Sequence, residues 1–204
     1  DTGTDPNAED SDSDRFSDGA EVNFGSSPLD ANDSPPTLIL YYDFEGDVGA
    51  VVTDKSDFGH DGVLSGSVVL SAEGAPAGPS PGGSASFTGG FINVGGLEMN
   101  PEIREFGNGD YTMTCWLKPS DIAGEKFVFG QTQQGIHNGI RNDSFLHQAH
   151  WSADTNGSTQ LGPYLQNDAD DWIHAAFVYD GITDQGTIYL DGIQDWTGQK
   201  NAPN

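Results

Sequence analysis

From Thr37 onward, apolar positions recur every second residue rather than every 3.6. Leu38, Leu40, Tyr42 and Phe44 alternate with Ile39, Tyr41 and Asp43. Tyr111, Met113, Cys115 and Leu117 alternate with Thr112, Thr114, Trp116 and Lys118, and Pro119 ends the run. A period of two places successive side chains on opposite faces of an extended chain, so both segments read as strands with one buried face. Shorter runs at 68–70, 85–87, 91–94, 127–129, 145–151, 173–179 and 187–190 fit the same template. Gly, Asp, Asn and Pro punctuate them at short intervals, and Asp191-Gly192 has the chemistry of a two-residue hairpin turn. Residues 74–84, with Pro76, Pro79 and Pro81, predict a loop, and only 97–106 offers a short helix. The pattern predicts an all-β fold, an antiparallel sandwich.

Residues 1–36 have a different character. Ten acids stand against one base, Arg15, and the apolar residues are sparse. Such a segment buries too little surface to offset its own ordering entropy. Ser34-Pro35-Pro36 then breaks the chain, which sets an expected division into an acidic stalk at 1–36 and a sandwich at 37–204.

Within the stalk, residues 10–21 read D-S-D-S-D-R-F-S-D-G-A-E, with carboxylates at loop positions 1, 3, 5, 9 and 12. Calcium takes six to eight hard oxygens, and alternating acids in a tight loop converge several of them on one ion. Asp10, Asp12, Asp14 and Asp18 are the expected side-chain donors, Phe16 offers its backbone carbonyl, and Glu21 binds through both oxygens. The plainer alternative is a solvated acidic linker. Loop position 6 is Arg15 where a helix-loop-helix calcium site carries Gly, and no helical apolar pattern flanks the loop, so an EF-hand pair is not expected.

Gly3-Thr4-Asp5-Pro6 recurs loosely as Gly25-Ser26-Ser27-Pro28, on either side of this loop. The arrangement over residues 3–33 resembles the bacterial thrombospondin type-three repeat, which alternates a D-x-D-x-D-G-L-x-D-x-x-E loop with G-T-D-P. The resemblance implies a calcium-stiffened extracellular stalk with Asp10, Asp12, Asp14, Asp18 and Glu21 among the ligands.

Further along, Tyr42-Asp43-Phe44-Glu45-Gly46 is followed by Ala85-Ser86-Phe87 and Phe91-Ile92-Asn93-Val94. Then come Tyr111-Thr112-Met113-Thr114-Cys115-Trp116-Leu117-Lys118-Pro119, Asp171-Trp172-Ile173-His174-Ala175-Ala176 and Ile188-Tyr189-Leu190-Asp191-Gly192. Their order and spacing resemble the laminin-G-like group of concanavalin A-like sandwiches, with its "f-T-i-s-x-W-v-k-P", "W-h-H-v-A" and "l-Y-v-D-G" passages. The resemblance implies a jelly-roll sandwich. The strand that normally closes such domains has no counterpart before Asn204, so the expectation is a sandwich without its last strand, belonging to a larger multidomain chain.

Charge narrows the partners. Thirty-two acids against seven bases give a formal charge of -25. Phosphate backbones and anionic membranes are repelled by such a surface, so nucleic acid is excluded as a partner. No run approaches 18 apolar residues, so membrane insertion is not expected either. The excess of carboxylates also suits a salty medium, where their mutual repulsion is screened.

Candidate chemistry is thin. Retaining glycoside hydrolysis needs two carboxylates about 5 Å apart, and Asp43, Glu45 and Asp47 are spoiled as a strand by Gly46. Glu45 reads instead as a hydrogen-bond anchor near His60. Cys115, the lone cysteine, reads as a small core side chain. His137, His147 and His150 lack zinc-motif spacing, and on a strand His147 and His150 face opposite ways. Sugars dock on exposed aromatic faces flanked by amides and carboxylates, which singles out His150, Trp151, Asp154, Asn156 and Trp196 as ligand-binding candidates. The competing reading has Trp116, Trp151 and Trp172 filling the interlayer core. The resulting expectation is a non-catalytic extracellular or cell-surface module, with calcium as its cofactor and a glycan or extracellular protein as its partner. The alternatives are a structural domain of an adhesin or cell-wall protein and an accessory domain of a secreted polysaccharide-degrading enzyme.

Overall fold

The computed structural model describes the chain apart from residues 1–2, 6, 9, 14–16, 32, 34–37, 57, 75–81, 95–109, 121, 131–134, 142–143, 151–152, 166–171 and 201–204. The chain divides into two compact units, one of Asp1–Tyr41 with Ser56–Phe58 and one of Tyr42–Lys55 with Gly59–Asn204. The helix expected over 97–106 lies outside the described residues.

The first unit contains a helix that periodicity did not predict, α1 (Asp18–Phe24). Two turns are too short to display an apolar period, and the helix depends on its ends. Asp18 and Glu21 place negative charge in the first turn, where the helix dipole favours it. At the other end the N–H groups of Gly25 and Ser26 both bond the Glu21 carbonyl, at 2.8 and 3.0 Å. Gly25 takes φ 89°, the left-handed conformation glycine adopts past a helix C-terminus. This short helix begins within the acidic loop, at its ninth position, and no apolar period announced it.

A correction concerns 38–44. This stretch has no ladder partner among the described residues, and Leu38 is 60% exposed. Phe44 turns to φ 59° ahead of the Glu45–Gly46 turn, which ends the extended run. In the second unit, the Tyr42 hydroxyl donates to the His60 carbonyl at 2.7 Å. Glu45 lies against Gly82, where an added Cβ would meet its Oε1 at 1.4 Å.

Among its described residues, the second unit carries three antiparallel sheets. The first is β1 (Val51–Val52), β2 (Gly62–Ser71) and β3 (Ser84–Asn93). The second runs β11 (Ile193–Gln199), β10 (Gln185–Leu190), β9 (Ile173–Asp180), β4 (Tyr111–Leu117). The third runs β5 (Lys126–Gly130), β6 (His137–Arg141), β7 (Phe145–His150), β8 (Ala153–Gln160). A five-residue helix, α2 (Leu161–Leu165), follows β8.

The second and third sheets face each other as a sandwich. Ile173, Ala175 and Phe177 of β9 and Ile188 and Leu190 of β10 pack with Ile140 of β6, Leu146 of β7 and Leu161, all buried. Met113, Cys115 and Leu117 of β4 join from the side, as the period of two requires. Burial pushes the Cys115 thiol up to about 12. Trp116 has the opposite parity: it stacks on His174, centroids 5.2 Å apart, on the far side of its sheet and not between the layers. Trp172 is half-buried just before β9.

Two polar devices fix the sandwich. At the β10–β11 hairpin, Leu190 pairs with Ile193 across Asp191 (φ 49°) and Gly192 (φ 77°), the two-residue turn with both φ positive. The Asp191 carboxylate accepts from the His174 N–H at 2.7 Å and the Tyr164 hydroxyl at 2.5 Å, which explains why the W-x-H and Y-L-D-G passages occur together. Between the layers, Gln148 Nε2 donates to the Val178 carbonyl (2.9 Å) and to the Tyr111 hydroxyl (3.2 Å). That hydroxyl in turn meets His150 Nε2 at 2.6 Å.

Candidate functional site

Strand parity decides which face of the third sheet each side chain takes, although His147 and Ala149 on the outer face are themselves buried. Asn138 and Ile140 of β6, and Leu146, Gln148 and His150 of β7, point between the layers, and all five are buried. Their neighbours His137, Gly139 and Arg141 on β6, His147 and Ala149 on β7, and Asp154 and Asn156 on β8 therefore share the outer face. The register lines up Phe127 with Gly139, Gly139 with His147 and His147 with Asn156, a row crossing all four strands.

The row is held from below. A bulge between Phe127 and Phe129 turns Phe129 to the core and Phe127 outward, 43% exposed. A Cβ on Gly139 would strike the Lys126 carbonyl oxygen at 2.1 Å, so only glycine permits β5 to approach this closely. The Phe127 ring then meets His137 edge-on with centroids 4.9 Å apart, and His137 and His147 lie 5.5 Å apart.

Polar contacts order the rest of the face. Asn156 Oδ1 can only accept, so His147 Nδ1, 2.8 Å away, carries the proton. Burial lowers the pKa of His147 from its ordinary value, outweighing the hydrogen bond to Asn156, and the ring is neutral at neutral pH with its lone pair on Nε2. Arg141 spans the face: Nε donates to Glu125 Oε1 at 2.6 Å, Nη1 donates to Asp154 Oδ2 at 2.5 Å, and Nη1 lies 3.5 Å from His147 Nε2. His137 Nε2 stands 3.9 Å from Asp154 Oδ1. The result is a half-exposed aromatic ring bordered by two imidazoles, an amide, a carboxylate and a guanidinium.

Of the residues singled out from sequence, Asp154 and Asn156 are on this face. His150 is not: it is wholly buried against Tyr111 and Tyr179, because it has the parity of Leu146. Trp196 is corrected likewise, since it lies within β11, paired with Ile188, and packs on the main core instead of standing free beyond the turn. Trp151 lies outside the described residues, as do Asp14 and Phe16 of the acidic loop. Phe127, Arg141 and Glu125 were not anticipated, although the parity set by Ile140 and Leu146 points to Arg141 and His147.

In the acidic loop, Asp18 accepts from the Ser11 N–H and hydroxyl, both at 2.8 Å, and Asp10 Oδ1 accepts from the Ser13 N–H at 2.7 Å. Ser13 takes φ 65° at the bend between them. Glu21, on α1, is wholly buried.

Residues 93–203, more than half of the chain, match the laminin-G-type family model described as the concanavalin A-like lectin/glucanases superfamily. The chain belongs to that superfamily, whose laminin-G-like domains are generally non-catalytic modules binding carbohydrate or protein. No curated protein and no solved structure gives a significant match. Among the described residues, no helix is long and apolar enough to cross a membrane.

Proposed function

We propose that the chain is a non-catalytic extracellular module that binds a glycan on the outer face of β5–β8, and that its acidic segment takes up calcium. The observation that carries the glycan reading is the Phe127 ring, exposed beside His137 and His147, with Asn156, Asp154 and Arg141 within the same face. A sugar's apolar face stacks on such a ring while its hydroxyls bond the amide, carboxylate and guanidinium. Glycan-array binding of the full chain, repeated with Phe127→Ala and Asn156→Ala, tests it. Binding by the parent chain that both variants lose is the expected result. Binding retained in both variants moves the site elsewhere, and silence from a folded parent favours the purely structural module.

The calcium reading rests on donor chemistry and burial. Residues 1–41 and 56–58 carry eleven carboxylates and one base, Arg15, yet fold into a compact unit with Glu21 wholly inside. Alternating carboxylates in one short segment offer the hard oxygens that calcium favours. Asp10, Asp12, Asp18 and Glu21 would hold the ion, together with Asp14 and the Phe16 carbonyl, as in the thrombospondin type-three repeat that this segment resembles. Bound calcium would neutralise and stiffen the segment. Calcium calorimetry on the parent chain and on Glu21→Gln decides the matter: equal affinity in the two would remove Glu21 from the ligand set.

A further inference from the structure

We propose that His137, His147 and Asp154 form a binding site for a borderline-soft divalent transition metal of the zinc class. Among the described residues, one ligand atom from each of the three lies within 4.8 Å of the other two. Two imidazoles and a carboxylate are the donor set of zinc sites that keep a coordination position open. They differ in kind from the all-oxygen set of the acidic loop, which suits calcium. His147 is already prepared as a ligand. Its Nδ1–H is committed to Asn156 Oδ1 at 2.8 Å, the outer hydrogen bond that orients metal-binding histidines, and this leaves the Nε2 lone pair facing Asp154 and Arg141.

The geometry also identifies what the metal displaces. Arg141 Nη1 sits 2.5 Å from Asp154 Oδ2 and 3.5 Å from His147 Nε2, so the guanidinium supplies the positive charge at the point where a cation would bridge the two. Its Nε is anchored on Glu125, which gives it a carboxylate to remain on when Nη1 is released. A zinc ion with bonds of about 2.0–2.1 Å needs its ligand atoms about 3.3 Å apart. The set therefore closes by up to about 1.5 Å, and the Asp154 side chain, 43% exposed against 12% for His137, has the more room to move. Metal and arginine compete for one place.

The test uses the full chain with calcium in saturating excess, so that the acidic loop is filled, and zinc and cobalt(II) as probes without any sugar. One zinc site is expected by calorimetry, with a tetrahedral cobalt(II) absorption spectrum. Asp154→Asn and His137→Ala abolish both, Asn156→Ala weakens zinc by about 10–100-fold, and Arg141→Ala strengthens it. Tryptophan-monitored unfolding checks that each variant is folded. Zinc affinity unchanged in folded Asp154→Asn and His137→Ala, or an octahedral cobalt(II) spectrum, overturns the assignment. Because no sugar is present, failure here leaves the glycan reading standing.

Discussion

Lys200 follows β11 and is only 4% exposed. Its Nζ donates to the Gln148 carbonyl at 2.6 Å, the Thr155 hydroxyl at 2.5 Å and the Ala153 carbonyl, with no carboxylate in contact among the described residues. Burial lowers its pKa from 10.5 to about 8, and the more distant charge of Asp154 opposes the shift only in part. At neutral pH the folded protein thus carries an ammonium that would be better solvated in the unfolded chain. Between about pH 8 and 10.5 the unfolded state binds the extra proton, so stability rises with pH across that window. Integrating that difference from about pH 7 to about pH 10 gives a gain of about 2.5 kcal/mol. Lys200→Met removes the titration while keeping the aliphatic stem. It also leaves three acceptors without their donor, so its absolute stability mixes two effects, and the pH slope isolates the charge. All four tryptophans lie in the sandwich unit, so denaturant unfolding followed by tryptophan fluorescence reports on it alone. The expected result is a stability difference, parent minus variant, that grows by about 2.5 kcal/mol over that range. A flat difference, or one that falls with pH, would refute the reasoning, since it would mean that the three acceptors hold the ammonium as well as water does.

Two packing predictions complement this one. A Cβ at residue 157 would lie 1.9 Å from Asp195 Oδ2, and that carboxylate accepts from the N–H groups of Ser158 and Thr159 at 3.1 and 2.9 Å. Gly157→Ala should therefore cost about 2–3 kcal/mol, and much less in an Asp195→Ala background, as a double-mutant cycle in denaturant would show. Tyr111→Phe takes a partner from both Gln148 and His150 between the layers. A loss of about 1–3 kcal/mol is expected, and a thermal scan showing no change would mean that the network repairs itself.

Legibility in the sequence followed hydrophobic contrast. β4, β9 and β10 alternate apolar with polar residues, and the Asp191-Gly192 turn has the one chemistry that a two-residue loop favours. β6, β8 and β11 read H-N-G-I-R, A-D-T-N-G-S-T-Q and I-Q-D-W-T-G-Q, and their buried face includes Asn138 and Gly157, which no hydrophobic period reveals. On 38–44 the period was present without a ladder to use it. Of the residues singled out by type, Asp154 and Asn156 lie on the outer face of β5–β8, while His150 and Trp196 pack inward. Residue type does not say which face a side chain takes. The parity of Leu146 does: one residue beyond it His147 faces out, and four beyond it His150 faces in. Arg141 and Phe127 became visible only once the register brought distant segments side by side.

That register also acts as a ruler. The row from Phe127 through Gly139 and His147 to Asn156 crosses three interstrand gaps, which at the usual spacing is about 14 Å, measured across the strands rather than along them. An occupant touching both ends must be at least that long and must lie perpendicular to the chain direction. On the proposed glycan reading, a single sugar ring would reach only neighbouring members of the row, whereas an oligomer would collect stacking at one end and amide bonding at the other after losing its rotational freedom once. Affinity on this face should therefore climb steeply with oligomer length until the row is covered and level off beyond it.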